Sequence, residues 1–515
     1  MHDHGKSDGS VVPAKLPNNA GGDGATLPLV AEVVEGRGPA KGNAVSKTRP
    51  GLRAGDDALS ALARVRRRAQ LDKEARFTAL LHHVTVDRLR EAYRALNPKA
   101  ATGVDDLAWE TYGQNLEENL RGLHARVHRG GYRAKPTRRA YIPKPDGCMR
   151  PLGVAALEDK ILQRAVVEVL NCIYEADFFG FSYGFRPGRS PHDALDALAA
   201  GIYDKKVNWV LDADIRDFFG QLDHDWLERF LEHRIADRRV LRLIQKWLAA
   251  GVIEDGKWSQ NERGTAQGAS ASPLLANVYL HYVFDLWAHQ WRRRHAHGDV
   301  IIVRYADDYI VGFEHHRDAQ QFLADLRDRL AKFSLGLAPE KTRLIEFGRF
   351  AARNRTRRGQ GKPETFDFLG FKHCCSKTKN GQFMLKRITI AKRMQTKLRE
   401  VKDELRRRHH HPIPEQGRWL GSVLRGHYAY YAVPGNSDRI NAFYNEVTRL
   451  WLRSLRRRSQ RHRMPWTRMR RISARWLPTP KRMHPFPNAR FNAKHPRQEP
   501  SALAGLAGIC AGGRP

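Results

Sequence analysis

Cysteine is scarce: the 515 residues hold five, at Cys148, Cys172, Cys374, Cys375 and Cys510. They are too few and too unevenly spaced for a disulfide framework, and no Cys-x-x-Cys pair offers a zinc ribbon or finger. No apolar run approaches the length of a membrane span. The opening Met1-His2-Asp3-His4-Gly5 lacks the apolar core of a secretory signal. These absences predict a cytoplasmic protein. Acid is short as well, with 55 Asp and Glu against 90 Lys and Arg, a net charge of +35. Such an excess repels itself unless a polyanion neutralises it, and it draws nucleic acid in at long range. Charge alone does not separate an enzyme from a solvated cationic surface or a ribosomal-type binder.

The chain is long enough for two to four domains. Residues 1–57 are rich in Gly, Ala, Pro and Asn without a sustained period, which predicts a disordered leader. Helical periodicity follows. Leu157, Ile161, Leu162, Ala165, Val166, Val169, Leu170 and Ile173 step by threes and fours, and helices are expected also at 191–203, 238–250, 273–293 and 317–334. Short apolar runs suited to buried strands lie between them, at 207–211, 300–303 and 309–313. The pattern is α+β through about residue 375, and strands vanish from about 388. Residues 391–515 carry 28 Lys and Arg against 7 Asp and Glu, a net of +21. Within them, Trp451 to Arg482 has 12 Lys or Arg and no acid, interleaved with Trp451, Trp466 and Trp476. A basic helix face is often only solvated, but a long acid-free run with aromatics fits phosphate binding and base stacking better.

The chemistry sits in carboxylates. Arg304-Tyr305-Ala306-Asp307-Asp308-Tyr309 joins two apolar strands, and adjacent Asp residues at a hairpin are commonly just a turn. Upstream, Trp209-Val210-Leu211-Asp212-Ala213-Asp214 ends a third apolar strand in acid, with Asp212 and Asp214 on one face by strand alternation. If these strands are neighbours, at least three carboxylates converge in a cationic protein, which is costly unless cations sit between them. Hard divalent ions with oxygen ligands fit, and two Mg²⁺ ions would serve nucleotidyl transfer.

Here the sequence resembles the reverse transcriptases encoded by group II introns, the maturase type, over roughly residues 60–480. Tyr305-Ala306-Asp307-Asp308 matches the family's catalytic tetrapeptide, and Asp214 in Asp214-Ile215-Arg216-Asp217-Phe218-Phe219 its first metal-binding Asp. Gly264-Thr265-Ala266-Gln267-Gly268 with Ser272-Pro273-Leu274-Leu275-Ala276-Asn277 is similar to the loop and helix beneath the templating pair. Ile142-Pro143-Lys144-Pro145-Asp146-Gly147, Arg150-Pro151-Leu152 and Ser182-Tyr183-Gly184-Phe185-Arg186-Pro187 resemble the fingers. Glu340-Lys341-Thr342 and Phe366-Asp367-Phe368-Leu369-Gly370-Phe371 follow in the family's order, and Gly103-Val104-Asp105 resembles its extra N-terminal block.

The resemblance implies a right-hand polymerase, with fingers and palm at 58–375, an all-α basic thumb or maturase domain at 376–470, and a basic nucleic-acid-binding extension at 471–515. It implies an RNA-directed DNA polymerase and intron-RNA maturase. The metal ligands would be Asp214 and Asp307, with Asp308 as third carboxylate and Asp212 as a supporting acid. Lys144 and Arg150 would clamp the triphosphate, Gln267 would contact the nucleotide, and Phe219 would exclude a ribose 2′-hydroxyl. Lys341 would neutralise or protonate pyrophosphate, though a solvated surface lysine is equally ordinary. Arg425, Tyr428, Arg453, Arg456, Arg457, Arg458, Arg461 and Arg463 would grip nucleic acid, with plain helix core as the alternative for the Tyr428 ring. The partners would be group II intron RNA, a DNA target, an RNA template–primer and dNTPs, in a ribonucleoprotein. The paired cysteines of the family's His-Asn-His endonuclease are missing, so that domain is expected to be absent. Ala266 stands for the family's Pro, which would loosen its loop. Gly220 stands for Asp, and Asp106 where Gly is common. A catalytically weak splicing cofactor, or a reverse transcriptase of another bacterial retroelement, are the alternative readings.

Overall fold

The computed structural model describes residues 53–143, 149–254, 257–259, 263–458 and 464–494. Residues 1–52 of the expected leader, Lys144, Arg461, Arg463 and the chain from 495 onward lie outside the described residues. Four helices open the described part: α1 (Arg53–Leu71), α2 (Val86–Ala95), α3 (Trp109–Gln114) and α4 (Leu116–His128). The antiparallel pair β1 (Thr137–Pro143) and β2 (Met149–Val154) follows. Next come α5 (Leu157–Asp177) and α6 (Pro191–Asp204). Ser190 and Asp193 form a reciprocal capping box with Pro191 in the first turn, which fixes where α6 begins.

Beyond β3 (Trp209–Asp214) the chain forms α7 (Phe218–Gln221), α8 (His224–Glu232), α9 (Arg238–Ala249), β4 (Val252–Glu254) and β5 (Lys257–Ser259). Helices α10 (Ser272–Leu280) and α11 (Leu286–Arg294) are joined by a π-helical turn at His281–Asp285. Then come β6 (Val300–Tyr305), β7 (Asp308–Phe313), α12 (His316–Ala331), β8 (Arg343–Glu346) and α13 (Ala351–Arg357). Three further strands, β9 (Phe366–Phe368), β10 (Phe371–Lys377) and β11 (Phe383–Thr389), precede α14 (Ala391–Arg407), α15 (Ile413–Tyr431), α16 (Ser437–Arg456), α17 (Trp466–Trp476) and α18 (Pro487–Lys494).

The strands make three sheets: β2-β1-β4-β5, the central β6-β7-β3-β8, and β11-β10-β9. The central sheet is covered on both faces, which is why its strands read as continuous apolar runs rather than alternating ones. Leu211, Ala213, Tyr309 and Val311 enter one core with α5, α10 and α12. Val210, Ile310 and Ile345 enter a second core with α6, Phe366, Phe368 and Phe371. A third core lies among α14–α17, around Leu424, Phe443 and Trp451. Among the described residues no helix is long and apolar enough to cross a membrane.

Three expected boundaries move. The 57/58 division falls inside α1, which begins at Arg53. The 375/376 division falls inside β10, whose pairing with β11 runs on to Thr389. The inward face of β10 carries His373 and Cys375 after Phe371, which hid the apolar alternation that marks a strand. The 470/471 division cuts α17. In the described part of the segment beyond it, α18 lies along α6, with Arg490 bonded to Asp196 and Lys494 Nζ 2.5 Å from Asp193 Oδ1.

Candidate active site

The central sheet brings the expected carboxylates to one end. Tyr305 pairs with Asp308 across the β6–β7 hairpin, so Ala306 and Asp307 form a two-residue turn. Asp308 in turn lies directly opposite Asp214 on β3, and Ile310 opposite Asp212. Strand alternation therefore sets Asp212, Asp214 and Asp308 on one face, with Asp307 at the turn beside them. Like charges directly opposite each other on neighbouring strands are destabilising, so this pairing calls for positive charge.

Some of that charge comes from the protein. Lys341 Nζ donates to Asp214 Oδ2, and this bond raises the lysine pKa above its ordinary value, with the charges of Asp214 and Asp308 adding to it. Arg343 Nη2 donates to Asp212 Oδ2 at 3.1 Å. Burial raises the Asp212 pKa, and the arginine works against that rise. Among the described residues, no three His, Cys, Asp or Glu side chains are close enough to hold a metal ion. Asp214 is turned to Lys341 instead. The donor set is nevertheless all carboxylate oxygen, the chemistry that hard divalent cations select.

The nucleotide-side residues gather from separate elements. Phe219 lies on α7, edge-on to buried Phe218. Its carbonyl accepts from Thr265 N at 2.8 Å, which docks the Gln267 loop onto α7. The Gln267 carbonyl accepts from Gly153 N at 2.8 Å, tying the same loop to β2, the strand that carries Arg150. Ala266 was expected to loosen this loop. Its carbonyl accepts from Ser272 Oγ at 2.8 Å and Ala269 N at 3.1 Å, and Thr265 Oγ1 lies 2.7 Å from Ser272 Oγ. Gly220 has a local reason: a Cβ there would meet Asp217 Oδ2 at 2.2 Å. Asp106 has φ 47°, the left-handed region where glycine is at ease.

The basic helices divide. Arg425, Arg453, Arg456 and Arg457 are exposed, although Arg456 Nε also donates to Met464 O at 2.9 Å. Arg458 is half-buried, with Nη2 2.6 Å from His411 O. Tyr428 is a correction. It is 2% exposed, sits in the third core with Leu424 one helical turn before it, and donates its hydroxyl to Pro478 O at 3.3 Å. Its ring packs helices rather than facing a ligand.

Reading along the sequence missed what holds the turn from behind. Ser182-Tyr183-Gly184, expected in the fingers, runs against the β6–β7 hairpin. Tyr183 N donates to Arg304 O at 2.8 Å, and Arg304 N to Phe181 O at 2.9 Å. A Cβ on Gly184 would lie 2.2 Å from Ala306 N, so the two backbones touch. Gly184→Ala is expected to destabilise the protein by about 1–3 kcal/mol through overpacking and to displace the turn. Thermal denaturation checks the first effect and primer extension the second. One signal was available: Arg304 is a charge inside an apolar strand, and buried charges are normally paired.

Residues 142–373 match the family profile described as reverse transcriptase (RNA-dependent DNA polymerase). Over 229 residues, 43% of this chain and 60% of the relative, the sequence is 36% identical to Protein YkfC of Escherichia coli (strain K12). It is 33% identical over 225 residues to the Group II intron-encoded protein LtrA of Lactococcus lactis subsp. cremoris, covering 43% of this chain and 37% of LtrA. With Nuclear intron maturase 1, mitochondrial, of Arabidopsis thaliana it shares 29% identity over 91 residues, 18% of this chain and 12% of that protein. The chain thus spans less than two thirds of the length of these relatives. Carboxylates on a hairpin turn and on the strand beside it lie within the matched segment, and over that segment the chain is similar to reverse transcriptases, the group II intron-encoded LtrA among them.

Proposed function

We propose that the chain is an RNA-directed DNA polymerase that also binds and assists a group II intron RNA. The observation that carries this reading is the cross-strand pairing of Asp214 with Asp308 beside the Asp307 turn. On this reading the central sheet is the palm, the β2-β1-β4-β5 sheet the fingers, and α14–α17 an all-α thumb. Asp214 and Asp307 would hold two Mg²⁺ ions, with Asp308 adjacent, and the metals would supply charge neutralisation to the primer 3′-hydroxyl and the departing pyrophosphate.

The chain's own residues do the rest. Arg150 on β2 faces the triphosphate as a fixed guanidinium. The doubly tied Gln267 loop positions the nucleotide, because geometry held in advance lowers the entropic part of the barrier. Lys341, kept protonated by its carboxylate neighbours, is placed to neutralise pyrophosphate when Asp214 is otherwise engaged. Exposed Arg425, Arg453, Arg456 and Arg457 track phosphates of the RNA, which is read mainly by shape and backbone.

The test is extension of a DNA primer on an RNA template with dNTPs and Mg²⁺. No extension above a heat-treated control overturns the reading. Phe219 makes a sharper forecast. Phe219→Ala is expected to narrow the preference for dGTP over GTP by about tenfold to a hundredfold, as a pocket loses its steric contact. The ratio of kcat/KM for the two nucleotides measures it, and an unchanged ratio removes Phe219 as the sugar gate.

A further inference from the structure

Beneath the catalytic turn lies a polar network that the proposed chemistry does not use. Arg304 and Asp285 are both fully buried, at 0% exposure. Arg304 Nε donates to Asp285 Oδ1 at 2.7 Å and Nη2 to Oδ2 at 2.6 Å. The second hydrogen of Nη2 goes to Ser182 Oγ at 2.7 Å. Nη1 donates to Asn277 Oδ1 at 3.0 Å and to Ala306 O at 3.0 Å. An arginine has five N–H donors in a planar fork, and here all five are used. Asn277 Nδ2 passes the network on to Gly184 O at 2.7 Å, where the Gly184 backbone abuts Ala306.

Two further features single this network out. Asp285 closes the π-helical turn His281–Asp285, a rare geometry that appears mostly as an insertion at functional sites. Ala306 has φ 57°, a conformation that costs a residue with a Cβ and persists only where its surroundings impose it. The Ala306 carbonyl belongs to the peptide unit that leads into Asp307. A planar guanidinium gripping that oxygen fixes the plane of the peptide, and with it the direction in which Asp307 leaves the backbone.

Stability is a poor reason for such a pair. Removing two charges from water costs about as much as their attraction returns, and apolar replacements of similar size are often neutral. We propose that Arg304, held by Asp285 from the π-turn, is a positioning residue that fixes the Ala306–Asp307 peptide and so aims the Asp307 carboxylate for divalent-cation binding. The inference rests on the polymerase reading.

The experiment uses the full chain with an RNA template, a DNA primer ending in a 2′,3′-dideoxynucleotide, and the next dNTP, so that no chemistry occurs. Mn²⁺ binding is followed by electron paramagnetic resonance of the free ion. The double replacement Arg304→Met with Asp285→Leu removes both charges together, and Arg304→Lys keeps the charge while losing the fork. Both are expected to raise the Mn²⁺ dissociation constant about tenfold to a hundredfold, the range found when groups supporting a metal ligand are removed. On an extendable primer kcat should fall while KM for the dNTP stays within about twofold, because the residue acts through a metal ligand rather than through nucleotide contacts. Thermal denaturation reports folding, and Arg304→Lys decides the matter if the double variant does not fold. A folded variant that binds Mn²⁺ as the parent chain does overturns the proposal. Extension that survives Asp307→Ala ends the metal role of Asp307 and this inference with it, whereas absence of extension by the parent chain overturns the polymerase reading itself.

Discussion

Asp307→Ala is expected to reduce RNA-templated primer extension by on the order of a thousandfold, about 4 kcal/mol of transition-state stabilisation. Asp307 occupies the turn between Tyr305 and Asp308, outside the strand ladder. Removing its carboxylate takes away no strand pairing, and the thermal midpoint should move by no more than about 2 °C. Loss of extension with retention of fold and RNA affinity is the pattern that separates a metal ligand from a structural residue. Asp214→Ala should lose as much activity, because Asp214 lies across from Asp308 at the same end of the sheet. It differs in one respect, since it also releases Lys341 from its partner. A variant at Asp307 that extends primers at the parent rate ends the metal assignment.

Acid should weaken the protein well before its paired carboxylates protonate. His192, His281, His373 and His427 are each pushed down to about 3, in every case chiefly by burial. Arg304 adds to the effect at His281, and Arg387 at His373. In the unfolded chain these rings take a proton near 6.5, whereas the native state refuses it until about 3. The native state therefore binds fewer protons in that window, and stability falls as pH falls through 6.5. Each ring contributes about 1.4 kcal/mol per pH unit once well inside the window. Asp159 and Asp177 oppose this. Burial lifts both to about 6, so the native state takes their protons first and gains as pH falls. Four rings against two carboxyls leave a net loss of roughly 3 kcal/mol between pH 7 and 5.5, a drop of roughly 3 °C in Tm for a chain this long. Calorimetry at the two pH values checks it, and an unchanged or higher midpoint at pH 5.5 excludes it.

Much of the secondary structure was legible in the sequence. The 3.6-residue apolar spacing from Leu157 became α5, the helix expected at 191–203 became α6, and the runs at 300–303 and 309–313 became the hairpin β6–β7. These signals are local, carried by residues a turn or a strand apart. The third sheet was less legible, because the inward face of β10 carries His373 and Cys375 where a strand pattern expects aliphatic residues. Tyr428 was misassigned for a related reason. An aromatic in a basic helix reads equally well as a stacking surface or as core, and only the packing of α15 against its neighbours separates them.

The sequence by itself determined which carboxylates were available, that Asp212 and Asp214 share a strand face, and that cationic helices follow them. Tertiary structure decided the rest. Cross-strand register set Asp308 opposite Asp214, and a lysine 127 residues along the chain became the partner of Asp214. Arg304 found Asp285, Asn277 and Ser182 on three other segments. Burial created the Arg304 pairings, because a charge shut away from water must be met by whatever donors and acceptors the fold brings beside it. That requirement has no period for a sequence to display.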